Sequence, residues 1–335
     1  IVAVALGVLI FAMVSAIDLD VLSEYRLGLV AFNVLLLLML IPFGTDNNTG
    51  NRSWLDLPLI PFNIQPAEIC KITYILIMAS VMTANQNRLS SIPSVLHMLM
   101  HLIWLFGLNV VISGDLGVSL IFLFIFIGMA FAGGIKMFWF LFGGSAIAVA
   151  VPILWNNFMR EDQRKRFEIL WNPAIDPQGI DERYHLVRSL KSLTAGGMLG
   201  QGLFNGNRTQ AGALPSQHTD FIFSAIGEEM GYIGCAIALI LLLAIVFRII
   251  QVGKRSQNYL RRMVCFGAAA ALIFQVMVNV GMCIGVMPVI GLTLPFISYG
   301  GTSVVSLYAM MGLVSGVYAR PAATSHERYI RPPRY

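Results

Sequence analysis

Nine stretches of nearly unbroken apolar residues punctuate the chain, at 1–17, 27–43, 66–82, 94–112, 117–134, 137–155, 221–247, 263–287 and 301–318. Each is close to the roughly 20 residues that a helix needs to cross a bilayer. None alternates apolar and polar positions as a barrel strand would, and in lipid every backbone group must be satisfied internally, so the stretches predict helices. The expected fold is an all-α integral membrane protein, a polytopic helical bundle. Six spans fall in 1–155 and three in 220–319, with a basic tail at 320–335. Between the sixth and seventh spans lies a segment at 156–219, before the third-last span, that is too long for an idle turn.

Composition agrees with this pattern. The 335 residues are 57% hydrophobic and 12% charged, whereas a soluble domain carries about 25% charged residues. A soluble secreted enzyme, a disulfide scaffold and a disordered chain are all excluded. The cysteines, Cys70, Cys235, Cys265 and Cys283, sit singly in apolar runs and read as reduced packing residues.

The net charge of +5 matters through its distribution. The connection at 247–262 holds Arg248, Lys254, Arg255, Arg261 and Arg262 with no acid. Threading the spans places Arg26, Arg88, Lys136 and the tail residues Arg320, Arg328, Arg331 and Arg334 on the same side, against Arg52 alone in the short loops opposite. The excess of Lys and Arg marks that side as cytoplasmic. The segment 156–219 is then extracytoplasmic. Within it, Leu186, Val187, Leu190 and Leu193 recur at helical spacing with Arg188 and Lys191 opposite. That piece, 184–193, reads as an interfacial helix or as a lid packed on the bundle.

Ionisable residues in spans are costly and mark candidate sites. Glu68 and Lys71 follow Pro66 on the first turns of one span, three residues apart, where they can pair. Asp115 opens another span, as a helix cap or as a carboxylate at a cavity mouth. The densest constellation is Leu214-Pro-Ser-Gln-His-Thr-Asp-Phe-Ile-Phe223, in which Asp220 sits where water gives way to lipid. Partial desolvation there would raise its pKa towards that of a general base. His218 could assist or bind phosphate, although a lone interfacial His is more often a surface hydrogen-bonding group. Glu228 and Glu229 lie about 12 Å deeper at ~1.5 Å per residue, and one of them must face the bundle. The run Gly196-Gly-Met-Leu-Gly-Gln-Gly202 followed by Arg208 could approach an anion, but without a strand–turn–helix setting a flexible turn is the simpler reading. A Pro- and Gly-rich break at 288–303 is tolerated at membrane depth only against protein or a wet cavity. Arg52, Glu68, Asp115, Asp220 and the break at 295–301 all fall at outer span ends, so they can converge on one outward-facing pocket.

Three of these motifs carry a resemblance. Leu-Pro-x-x-His-Thr-Asp-Phe-Ile-Phe at 214–223 with Glu228-Glu229-x-Gly, Pro-x-x-Gly-Leu-x-Leu-Pro-x-x-Ser-Tyr-Gly-Gly at 288–301, and Gln-Pro-x-Glu-x-x-Lys at 65–71 resemble the SEDS family, which includes RodA, FtsW and SpoVE. The likeness runs over almost the whole chain, and residues 206–210 with Ser224 are closer to the RodA branch. Departures are Ser216 where the family usually has Glu, Arg52-Ser53-Trp54 for Arg-Trp, altered flanks around Asp115, and His185 and Arg188 for glutamines.

The resemblance implies ten spans, the first expected to be missing before Ile1. It also implies a peptidoglycan glycosyltransferase that polymerises lipid II on the outer face of the bacterial cytoplasmic membrane, for elongation and cell shape or for cell division. Its partner would be a class B penicillin-binding protein, with no nucleic acid involved. On this reading Asp220 is the general base of an inverting displacement. Lys71, Arg52 and Arg208 face the pyrophosphate, while Glu68, Asp115, His218, Thr219 and Ser298 complete the substrate site. Asp220, Glu68 and Asp115 are also the candidate ligands of a divalent cation, Mg2+ or Mn2+. Two rival functions remain at this point: a lipid II flippase or other transporter, and a non-catalytic scaffold for a penicillin-binding protein.

Overall fold

The computed structural model describes residues 2–45, 51–56, 63–157, 159, 161–180 and 183–320. Ile1 and the tail arginines Arg328, Arg331 and Arg334 lie outside the described residues. Helices α1 (Val2–Ala16) and α2 (Leu19–Glu24) lead into α3 (Arg26–Leu38) and α4 (Leu40–Phe43), which divide one apolar run at Met39. Strands β1 (Gly44–Thr45) and β2 (Trp54–Leu55) pair antiparallel, Gly44 opposite Leu55. Four long helices follow: α5 (Pro66–Ala84), α6 (Ile92–Ser113), α7 (Leu116–Ala132) and α8 (Met137–Asn157). The long connection carries α9 (Glu161–Glu168), α10 (Tyr184–Gly196) and α11 (Asn207–Gln210), and the chain closes with α12 (Ile222–Arg255), α13 (Tyr259–Cys283) and α14 (Gly301–Ala319).

Every predicted span is therefore helical. Among the described residues seven helical stretches are long and apolar enough to cross a bilayer, with α3 and α4 counted as one; α1 and α7 are apolar but shorter. The stretch expected at 221–247 continues to Arg255, because a helix can run on past the lipid once its side chains turn basic. The stretch expected at 263–287 begins earlier instead. Asn258 caps α13 by accepting from the Arg261 amide, and the helix stops at Cys283, ahead of Gly285 at φ +77°.

Helices α5 and α13 form the buried centre, packed on one another and on α7 and α14. Without a hydrophobic drive between helices in lipid, polar pairs help hold them. Thr73 Oγ1 donates to Asn33 Oδ1 at 2.5 Å, and Asn109 Nδ2 to Ser119 Oγ at 2.7 Å. At one end of α13, Arg261 Nη2 lies 2.7 Å from Asp20 and 3.5 Å from Asp18, while Nη1 donates to the Arg320 carbonyl at 2.7 Å. Arg261 thus ties the start of α13 to the acids at the start of α2 and to the end of α14.

The glycine-rich run 196–202 is not a flexible turn. Helix α12 is broken at Gly231, whose φ of +67° and ψ of −167° only glycine adopts readily. The strip beside the break takes up its backbone groups: Gln201 and Gly202 amides donate to the Glu228 and Glu229 carbonyls at 2.9 and 3.0 Å, and Tyr232 N to Gly197 O at 2.9 Å. A Cβ on Gly231 would stand 2.4 Å from the Gly200 nitrogen. Gly231→Ala should cost at least ~1–3 kcal/mol from the backbone strain alone. The variant is expected to show a lowered thermal midpoint in detergent, and an unchanged midpoint would contradict this packing.

Candidate active site

The sequence places Asp220 just ahead of α12, and the structure fixes it through its backbone. Three successive carbonyls are held from outside. His218 O accepts from the Tyr299 amide at 2.7 Å, Thr219 O from Ser298 Oγ at 2.6 Å, and Asp220 O from Asn279 Nδ2 at 2.8 Å. Ser298 Oγ accepts in turn from the Leu294 amide at 2.8 Å, and Asn279 also donates to the Leu292 carbonyl at 2.6 Å. The two longest motifs, 214–223 and 288–301, are therefore one unit with α13 as its brace. From behind, α10 is tied to this unit: Ser189 Oγ lies 2.6 Å from Ser224 Oγ and donates to Cys283 O at 2.8 Å. Helix α10 packs on α12 where Ser189 meets Ser224 and Gly196 faces the Gly227 backbone, while Leu186 lies against Gly285. It is a bundle-packed element, with Leu186 buried and Leu193 against the core while Leu190 stays exposed.

In front of Asp220 opens a cavity of about 930 Å³. Asp220, Asp115, Glu68 and Thr219 line it, as do Tyr299 and Gly300 of the break. Asp115 fills both roles the sequence left open. It caps α7, its Oδ1 accepting from the Val118 amide at 3.1 Å while Ser53 Oγ donates to Oδ2 at 3.3 Å, and it faces the cavity. Both Asp115 and Asp220 precede their helices and lie outside the spans. Burial raises the Asp115 pKa, opposed by its hydrogen bonds and by the Arg166 charge. Burial pushes Asp220 up to about 6, a hydrogen bond from Thr219 opposes this, and the Asp115 charge adds to it. At pH 7 Asp220 is thus mostly ionised yet basic enough to accept a proton.

Other expected residues are elsewhere. Lys71 is only 2% exposed and does not line the cavity; its Nζ is 2.6 Å from Glu68 Oε2 and 3.4 Å from Gln275 Oε1. Ser306 Oγ donates to the same Glu68 oxygen at 2.6 Å. Arg52 and His218 are exposed and off the cavity wall. Arg208 belongs to a separate cluster. Its amide donates to Glu228 Oε1 at 2.6 Å, Thr209 Oγ1 to Glu228 Oε2 at 3.0 Å, and its own Nε reaches Ser192 Oγ at 3.2 Å. Glu228 is the member of its acidic pair that faces inward, fully buried. Glu229 turns to the loop, where the Phe204 amide and Gln210 Nε2 donate to it.

Sequence reasoning missed the roof. Glu161, Lys165 and Arg166 of α9 line the cavity, with Asp176 and His185 beside them. The charge run at 161–168 was their available signal. Asp176 accepts from the Gly179, Ile180 and Arg183 amides at 2.9, 3.2 and 3.2 Å. The His185 ring stacks on Phe221, 4° from parallel. Among the described residues no group of three or more His, Cys, Asp or Glu is close enough together to hold a metal ion. Asp220, Glu68 and Asp115 nevertheless line the same cavity.

Fold and site together define a polytopic membrane protein with an acid-lined cavity at one end of its helices. The FtsW/RodA/SpoVE family, described as cell cycle protein, matches residues 1–321, and the chain belongs to that family. Peptidoglycan glycosyltransferase MrdB of Escherichia coli K12 is 32% identical over 317 residues, which cover 94% of this chain and 83% of that protein. Among solved structures, one reported as "Structural coordination of polymerization and crosslinking by a peptidoglycan synthase complex" is 30% identical with a TM-score of 0.79, covering 95% of this chain and 88% of that one. The crystal structure of the Thermus thermophilus rod shape determining protein RodA is 26% identical with a TM-score of 0.70, covering 96% and 87%.

Proposed function

We propose that the protein is a peptidoglycan glycosyltransferase that polymerises lipid II into β-1,4 glycan strands on the outer face of the bacterial cytoplasmic membrane, serving elongation and cell shape. The observation that carries the reading is Asp220: a backbone-clamped carboxylate on the cavity wall with its pKa raised to about 6. In the reaction it removes the proton of the acceptor's 4-hydroxyl as that oxygen attacks the anomeric carbon of N-acetylmuramic acid. The bond from that carbon to the pyrophosphate breaks, and undecaprenyl pyrophosphate leaves. A single displacement inverts the α-linked donor to a β-1,4 product and needs no covalent intermediate on the protein. The name of the Escherichia coli relative supports the activity.

The cavity's end of the bundle supports the location. Asn279, which clamps Asp220, is 18 residues along α13 from Arg261, about 27 Å at ~1.5 Å per residue. Arg261 belongs to the basic end, assigned to the cytoplasm by its charges. The cavity then opens outward, where the disaccharide of lipid II is presented. A class B penicillin-binding protein is the partner proposed to crosslink the product.

Purified full-length protein with this partner and labelled lipid II is expected to give a ladder of glycan chains. Absence of any ladder, with lipid II crossing the membrane of protein-loaded liposomes, would replace this reading by the flippase.

A further inference from the structure

The proposed reaction needs a cation for the departing pyrophosphate and a path for the lipid behind it. Lys71 is occupied by Glu68 below the cavity, and Arg52 lies off its wall. Among the described residues, the lysine and arginine that line the cavity are Lys165 and Arg166, on the roof helix α9. Lys165 sits 3.2 Å from Glu161 in a largely exposed pair, where water competes for both charges. Arg166 is more enclosed, and near enough to Asp115 for its charge to act on that carboxylate.

Arg166 also occupies a second position. It lines a narrow apolar cleft beside the cavity, together with Leu170, Leu186, Met287 and Val289. Arg166, Ile169 and Val289 are shared by the two spaces, so a carboxylate-lined cavity, a guanidinium and aliphatic side chains adjoin one another there. A sugar linked through pyrophosphate to a polyprenol joins the same three chemistries in one molecule. A guanidinium suits the middle position because its planar fork can donate two parallel hydrogen bonds to phosphate oxygens and stays charged at any working pH.

We propose that Arg166 binds the pyrophosphate of the donor and that the cleft between α9, α10 and residues 287–289 takes the first isoprene units of its tail. This rests on the glycosyltransferase reading above and assigns the donor's direction within the site. The cleft holds about 10 Å³, room for one water. An isoprenoid chain therefore enters by displacing side chains, for which the unbranched Met287 is well suited.

The first test uses the unaltered full chain in detergent. Undecaprenyl pyrophosphate with a diazirine on the isoprene unit nearest the phosphates is photolysed on the protein, and the labelled peptides are sequenced. Label on 166–170 or 286–289 is expected, and label confined to other helices would overturn the assignment. The second test is kinetic. Arg166→Gln should raise KM for lipid II by about tenfold or more, the loss expected for a charge-assisted hydrogen bond, and Arg166→Lys should recover part of it. An unchanged KM in Arg166→Gln would also overturn the assignment. The label does not depend on turnover, so the two ideas fail separately. Glycan ladders with label elsewhere sink the donor site alone, and no ladders from the unaltered protein sink the glycosyltransferase reading.

Discussion

Asp220→Asn should lower the rate of glycan polymerisation by about 10²–10⁴-fold, the usual contribution of a positioned general base. The substitution keeps the shape of the side chain and removes only its basicity. The three carbonyl contacts at 218–220 are made by backbone, so the thermal midpoint and monodispersity of the variant should match the parent. A variant that still builds full-length ladders would remove Asp220 from the base role. The pH profile supplies an independent check. Only the ionised carboxylate accepts a proton, and its pKa is raised to about 6. Polymerisation should therefore be flat above about pH 7 and fall about tenfold per unit well below pH 6. Part of the rise comes from the Asp115 charge, so Asp115→Asn, which can still cap α7, should move the acidic limb to lower pH. A limb that stays in place would mean that Asp115 and Asp220 do not sense one another.

The second large effect is expected on stability. Lys71→Met leaves Glu68, 3% exposed, with Ser306 but no countercharge. Removing one member of a buried pair typically costs about 3–5 kcal/mol, because the remaining charge is uncompensated. Replacing both, as Glu68→Gln with Lys71→Met, should restore much of the loss, since such pairs are close to neutral against uncharged residues of similar volume. Thermal unfolding of the three variants in detergent measures this directly. A parental midpoint in Lys71→Met, accompanied by lost polymerisation, would instead return Lys71 to the substrate site.

The sequence was most informative where one physical constraint acts on a whole segment. Lipid demands long apolar helices, and each predicted stretch is helical, with the run at 27–43 divided at Met39 and the end near 283 set ahead of Gly285. The carboxylates were equally legible, because a charge near lipid is costly enough to stand out. Asp220, Asp115 and Glu68 do meet at one cavity. The cations were harder to place for the same reason: Lys71 is conspicuous in a span, yet in the structure it pairs with Glu68 three residues away. The roof announced itself only as the charge run at 161–168, since α9 is a short polar helix whose contact with the cavity comes from the course of the long connection.

What the sequence alone determined is a membrane-embedded helical bundle, its charge asymmetry and a set of acids at one end, all consequences of the cost of placing polar groups in hydrocarbon. Tertiary structure decided which of those acids face open space, and it turned an apparent flexible glycine turn into a partner for the broken helix at Gly231. It also placed Arg166 where a polar cavity meets an apolar cleft. These are relations between residues far apart in the chain, and close packing across elements, which local pattern does not encode, sets them.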